Sequence, residues 1–151
     1  MTEILTDSPV LARLKAAIVN GTPGAPIAEW MGWKTVEAEP GRVVMEMEVG
    51  PHLANPMGTL HGGVLCGLAD SAMAMAHATT LKAAESFTTL ELKINFVRPV
   101  WNGKLRAEGK ILKGGREVSL AECQVTTPEG QLVAHATCTC LTLRGEDAAG
   151  R

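Results

Sequence analysis

Apolar residues change their spacing several times along this chain, and each change marks an expected element. Val10, Leu11, Leu14, Ala17 and Ile18 recur at helical intervals, with Ser8 placed to cap and Pro9 suited to a first turn, so a helix is expected over Pro9–Val19. Glycine and proline then break the pattern between Asn20 and Pro26, and Ile27–Met31 can form a second short helix. Trp33–Glu39 and Arg42–Val49 flank the turn Pro40-Gly41, and in the second run Val43, Met45, Met47 and Val49 alternate with Val44, Glu46 and Glu48, which predicts a hairpin. From Gly62 to Ala83, Val64, Leu65, Leu68, Ala69, Ala72, Met73 and Ala76 fall on one helical stripe, which predicts a helix of about 33 Å.

Beyond it the period drops to two. Leu90, Leu92, Ile94 and Phe96 alternate with Thr89, Glu91, Lys93 and Asn95, the mark of a strand with one buried face. Gly103–Leu112, Arg116–Thr126 and Gln131–Leu143 continue the strand series, separated by turn signals at Asn102-Gly103, Gly114-Gly115 and Pro128-Glu129-Gly130. One helix within about six hairpin-connected strands is an α+β architecture, an antiparallel β-sheet with a single long helix against one face. The expected division is a helical lead-in at 1–32, one domain at 33–143 and a flexible tail at 144–151.

Composition narrows the function. The 151 residues are 46% hydrophobic and 20% charged, enough for one core, and the net charge of -2 gives no global pull on nucleic acid or anionic membranes. The N-terminus carries Glu3 and Asp7 and no signal-like apolar run, and Ser71–Leu81 is too short to span a bilayer, so a cytoplasmic protein is expected. Cys66, Cys123, Cys138 and Cys140 lack the paired knuckles of a zinc site and are expected to be small buried residues; no metal or cofactor is expected.

Polar chemistry concentrates in Asn55-Pro56-Met57-Gly58-Thr59-Leu60-His61-Gly62-Gly63, which runs into the long helix bearing Asp70. A helix N-terminus presents unpaired N–H groups and partial positive charge, and glycines let a ligand reach that backbone, so the segment suits a developing oxyanion. Each part also has a plain structural reading: a turn at Gly62-Gly63, a helix cap at His61, a self-bonded loop residue at Asn55. Asp70 is harder to explain that way, because it shares a helical stripe with Gly63, Cys66, Met73 and His77.

Asn-x-x-Gly-x-x-His-Gly-Gly, followed by an Asp nine residues after the His, resembles the phenylacetate-degradation branch of the hotdog-fold acyl-CoA thioesterases. Leu90–Pro99 resembles that family's strand after the helix. The resemblance implies a hotdog fold, in which a sheet of about six strands wraps one long central helix, and a homo-oligomer: a dimer as the minimal active unit, pairing further into a tetramer. It implies that the Gly62 amide polarises the carbonyl of an acyl-CoA substrate, that His61 and Asn55 arrange the loop and the departing sulfur, and that Asp70 from the neighbouring subunit acts as base or nucleophile. Thr89 matches a hydroxyl position that holds water near the acid. Gly63, Arg98, Lys113 and Arg116 are candidate substrate contacts, the last two among cations, with Lys104, Arg106 and Lys110, around the Gly114-Gly115 turn. Two rival readings remain open: a non-catalytic acyl-CoA-binding module and an enoyl-CoA hydratase.

Overall fold

The computed structural model describes residues 8–22 and 24–150. Helix α1 runs Pro9–Asn20, with the Ser8 hydroxyl accepting the Val10 N–H and Gly21 closing the helix in the left-handed region (φ 62°). Helix α2 is the short Pro26–Met31. Strands follow at β1 Trp33–Glu39 and β2 Arg42–Val49, then α3 Gly62–Ala78, and finally β3 Ser86–Phe96, β4 Gly103–Lys113, β5 Val118–Thr126 and β6 Leu132–Leu143. The hairpin and strand expectations hold to within a few residues.

All six strands join one sheet in the order β1-β2-β4-β5-β6-β3, each neighbouring pair antiparallel. Because α3 sits between β2 and β3 in the chain, it carries the backbone across the sheet, leaving β3 on the far edge while β4 returns beside β2. Helix α3 packs mainly on β4, with β2 and β5 beside it. Contact is close because Gly109 of β4 has no side chain: a Cβ there would run into the backbone of Ala72 and Met73. Ala69, Ala72 and Ala76 bring the helix down on the sheet, and Leu68, Met73, Met47, Leu105, Val125 and Cys123 fill the space between as the core.

Helix α3 is shorter than expected. It has 17 residues, about 26 Å, where the apolar stripe predicted a helix through Ala83. Two consecutive threonines end it. The Thr79 hydroxyl donates to the Ala76 carbonyl (2.7 Å) and the Thr80 hydroxyl to the His77 carbonyl (2.7 Å), satisfying last-turn acceptors that further helix would otherwise take. Gly41 N–H, in the β1–β2 turn, donates to Thr79 Oγ1 (2.8 Å), fixing that turn under the helix end.

The sheet's outer face carries a ladder of ion pairs. Arg42 reaches Glu37 (2.9 Å) and Glu108 (3.0 Å), Arg106 also binds Glu37, Lys104 approaches Glu46 (3.4 Å), and Lys110 binds Glu122 (2.9 Å). These part-exposed pairs hold the Glu37, Glu108 and Glu122 carboxyls below their usual range, chiefly through hydrogen bonds from Arg106, Arg42 and Lys110 respectively. Each contributes little to stability. Among the described residues no helix is long and apolar enough to cross a membrane.

Candidate active site

The loop before α3 is built around Asn55. Its side-chain carbonyl accepts the N–H groups of Met57 (2.9 Å) and Thr59 (3.2 Å), and its amide donates to Thr59 Oγ1 (2.8 Å). Three side-chain bonds leave Asn55 as the staple of the loop. The loop is then anchored at both ends: Leu60 N–H donates to the Val100 carbonyl (2.7 Å) and His61 N–H to the Leu53 carbonyl (2.9 Å).

His61 is the N-cap of α3. Its Nδ1 accepts the Gly63 N–H (2.9 Å), so in the neutral ring the proton sits on Nε2, away from the helix. Val64 N–H and Leu65 N–H turn back to the His61 carbonyl. Gly62 N–H is the one left over: no acceptor for it is found among the described residues. It projects at the positive end of α3, where an incoming oxygen would find an unpaired donor. Phe96, at the end of β3, lies over it, close enough that a Cβ on Gly62 would sit 3.1 Å from the ring. The alternating pattern put Phe96 on the buried face and did not mark it as a neighbour of the helix mouth; the residue is 53% exposed.

Asp70 lies half-buried two turns into α3, and the Thr89 hydroxyl donates to its Oδ1 (3.0 Å). This contact corrects the sequence pattern, which set Thr89 on the opposite face from Leu92 and Ile94. A β-bulge at Leu90 is responsible. Thr89 pairs with Cys140 and Glu91 with Thr139, so one extra residue is inserted in β3. Thr89 is thereby turned in beside Asp70, Leu92 and Ile94 pack on the core, and Leu90 is turned out, 56% exposed. Beneath Thr89, Cys140 and Cys138 are fully buried with their sulfurs 3.7 Å apart. Burial raises the Cys123 thiol to about 12, so it stays protonated at physiological pH and packs as a small apolar group. Among the described residues no group of three His, Cys, Asp or Glu side chains is placed to hold a metal ion.

Within one chain these parts do not meet. Asp70 lies eight positions after Gly62, which on a helix is about 12 Å along the axis and about 80° around it. Arg98 does border the cavity that contains Asn55 and Gly62. Lys113 and Arg116 do not: β4 enters at Gly103, beside the mouth of α3, and leaves near Ile111, which bonds Gly41 at the helix's C-terminal end. The other cations expected to join them, Lys104, Arg106 and Lys110, are paired with acidic residues on the outer face.

A six-stranded antiparallel sheet of this order, closed over a helix with an open glycine amide at its mouth, is the hotdog fold. Sequence and structural comparisons agree. The chain belongs to the Thioesterase superfamily, whose family profile matches residues 57–134, from the loop before α3 into β6, and it is therefore a thioester hydrolase by class. A Saccharolobus solfataricus protein named as an esterase is 34% identical over 110 residues, 73% of this chain and 78% of that one. Human acyl-coenzyme A thioesterase 13 is 31% identical over 101 residues, 66% of this chain and 71% of its own. Among solved structures, a phenylacetic acid degradation-related protein of Ralstonia eutropha superposes with a TM-score of 0.74 at 29% identity, covering 83% of this chain and 97% of that one.

Proposed function

We propose that this protein hydrolyses acyl-coenzyme A thioesters, as a member of the phenylacetate-degradation branch, at sites shared between two copies of the chain. The Gly62 N–H of one copy donates a hydrogen bond to the thioester carbonyl oxygen, and Asp70 of the other activates water or attacks directly. Water adds to the carbonyl carbon, the carbon–sulfur bond breaks, and free acid and coenzyme A thiol leave. Thr89 fixes one Asp70 oxygen and leaves the other to the water; His61 and Asn55 hold the loop that presents Gly62. The chemistry asks for no cofactor.

The observation that carries this reading is the separation of the open Gly62 amide from the Thr89-bound Asp70 carboxylate. A single thioester carbonyl cannot touch both ends of a 12 Å gap of this order, whereas a second copy with its helix running the other way can close it. One edge of the sheet suits that pairing: among the described residues β3 has no outer neighbour, and it exposes Leu90 and Phe96, with Val97 just beyond its end. The carboxylate also favours hydrolysis over simple binding, since a retained acid beside an acyl group offers nothing to affinity.

Thiol release from acyl-CoA tests the reading. Asp70→Asn is expected to lose about 10²–10⁴ in kcat with its melting temperature kept. Gly62→Pro deletes the N–H at the first helical position, where the helix backbone accepts proline and the exposed Phe96 ring must give by a few tenths of an ångström, and is expected to lose about 10²–10³. Full turnover by either folded variant would overturn the assignment.

A further inference from the structure

The first turn of α3 divides two cavities. One, of about 370 Å³, is bordered by Asn55, Thr59, Gly62, Leu65, Phe96 and Arg98. The other, of about 420 Å³, lies between α2 and α3 against Trp30, Met31, Leu53, Ala54, His61 and Val64. Residues 61 and 64 therefore face one space, and residues 62 and 65 the other. Gly62 N–H stands at the divide. A ligand whose carbonyl oxygen takes that N–H sends its two substituents to different sides.

Charge decides which substituent goes where. Arg98 is the one Lys or Arg among the described residues lining either cavity, so the phosphate-bearing coenzyme arm is drawn to its side. The space between α2 and α3 is left for the acyl group. Trp30 stands at this second space with 79% of its surface exposed, whereas Trp33, three residues later, is buried in the core. Its indole does not hold α2 in place. The chain has three Trp, two Phe and no Tyr, so an exposed indole beside an apolar cavity is a concentrated resource, and the imidazoles of His52 and His61 line the same space.

We infer that the cavity between α2 and α3 receives the acyl group, and that Trp30 is a specificity-determining residue that favours acyl groups with an apolar body larger than acetyl. This rests on the acyl-CoA reading above. The indole covers the acyl body once it enters, gaining contact that an acetyl group is too short to make.

The test compares kcat/KM for acetyl-, octanoyl- and phenylacetyl-CoA in the wild type, Trp30→Ala, Trp30→Phe and Ala54→Phe. Trp30 and Ala54 are both exposed, so these changes leave the core intact. Trp30→Ala should lower the larger-acyl to acetyl ratio about tenfold, mostly through KM, with Trp30→Phe restoring much of it. Ala54→Phe should lower the same ratio by filling the space. The larger loss, on octanoyl or on phenylacetyl, shows whether the cavity takes a chain or a ring. Unchanged ratios in Trp30→Ala and Ala54→Phe, with the wild type active, would overturn this inference alone. No thiol release by the wild type from any of the three would overturn it together with the proposed hydrolysis.

Discussion

Thr89 illustrates how a residue of ordinary type acquires a role from one contact. A threonine in a strand is favoured by propensity alone, yet its hydroxyl donates to Asp70 Oδ1 at 3.0 Å. A hydrogen bond to a charged group is worth about 1.5–3 kcal/mol, which corresponds to roughly ten- to a hundredfold in rate if it is needed in the transition state. Thr89→Val keeps the shape and removes the donor, so kcat should fall by about that factor with KM nearly unchanged; Thr89→Ser should recover most of it. Steady-state kinetics by thiol release checks both, and equal kcat in wild type and Thr89→Val would remove Thr89 from the mechanism. Gly62 differs in kind, since the role proposed for it belongs to its backbone and its missing side chain only gives Phe96 room.

At the scale of elements, the strands were legible because apolar positions recur mainly at a period of two in β2, β4, β5 and β6 and glycine and proline turns punctuate the series. The details that place the site were not. One inserted residue at Leu90 reverses the facing of everything before it in β3, and no periodicity shows where an extra residue will be accommodated. The end of α3 was missed for a related reason: Thr79 and Thr80 look tolerable in a helix until their hydroxyls take its last carbonyls. Asn55 and His61 were readable as loop staple and cap because their side chains act within two to four residues, a distance over which sequence fixes geometry.

The same helix end predicts a pH dependence. His77 is buried between α3 and the β3–β6 edge, with its Nε2 3.2 Å from Thr142 Oγ1 and its ring edge-on to Phe87. Burial pushes its pKa down, with Glu85 opposing, so the folded protein disfavours the imidazolium. Above the unfolded value of about 6.5 both states are neutral there and the packing is fully available; below it the unfolded chain takes up the proton first and stability falls. Melting temperature should therefore drop as pH is lowered from about 7.5 towards 5. His77→Phe should flatten that part of the slope even though it costs the Thr142 contact. An unaltered slope would show that other groups carry it.

For the whole molecule, the decisive quantity is a length. The helix mouth and the acid are about 12 Å apart in one chain, and the free β3 edge offers the surface through which a second chain can bring its acid to the first chain's mouth. In the proposed dimer, symmetry would give two equal sites, each taking Gly62 from one copy and Asp70 from the other. Gly62→Pro and Asp70→Asn dimers should each be nearly inactive. A mixed dimer should contain one site with both defects and one with neither.

Co-expressing the two variants and measuring acyl-CoA hydrolysis tests this most directly. Random pairing should restore roughly a quarter of wild-type activity, because half the dimers are mixed and half of their sites are intact. Activity no greater than the sum of the two parent variants, in a preparation shown to contain mixed dimers, would contradict the shared site.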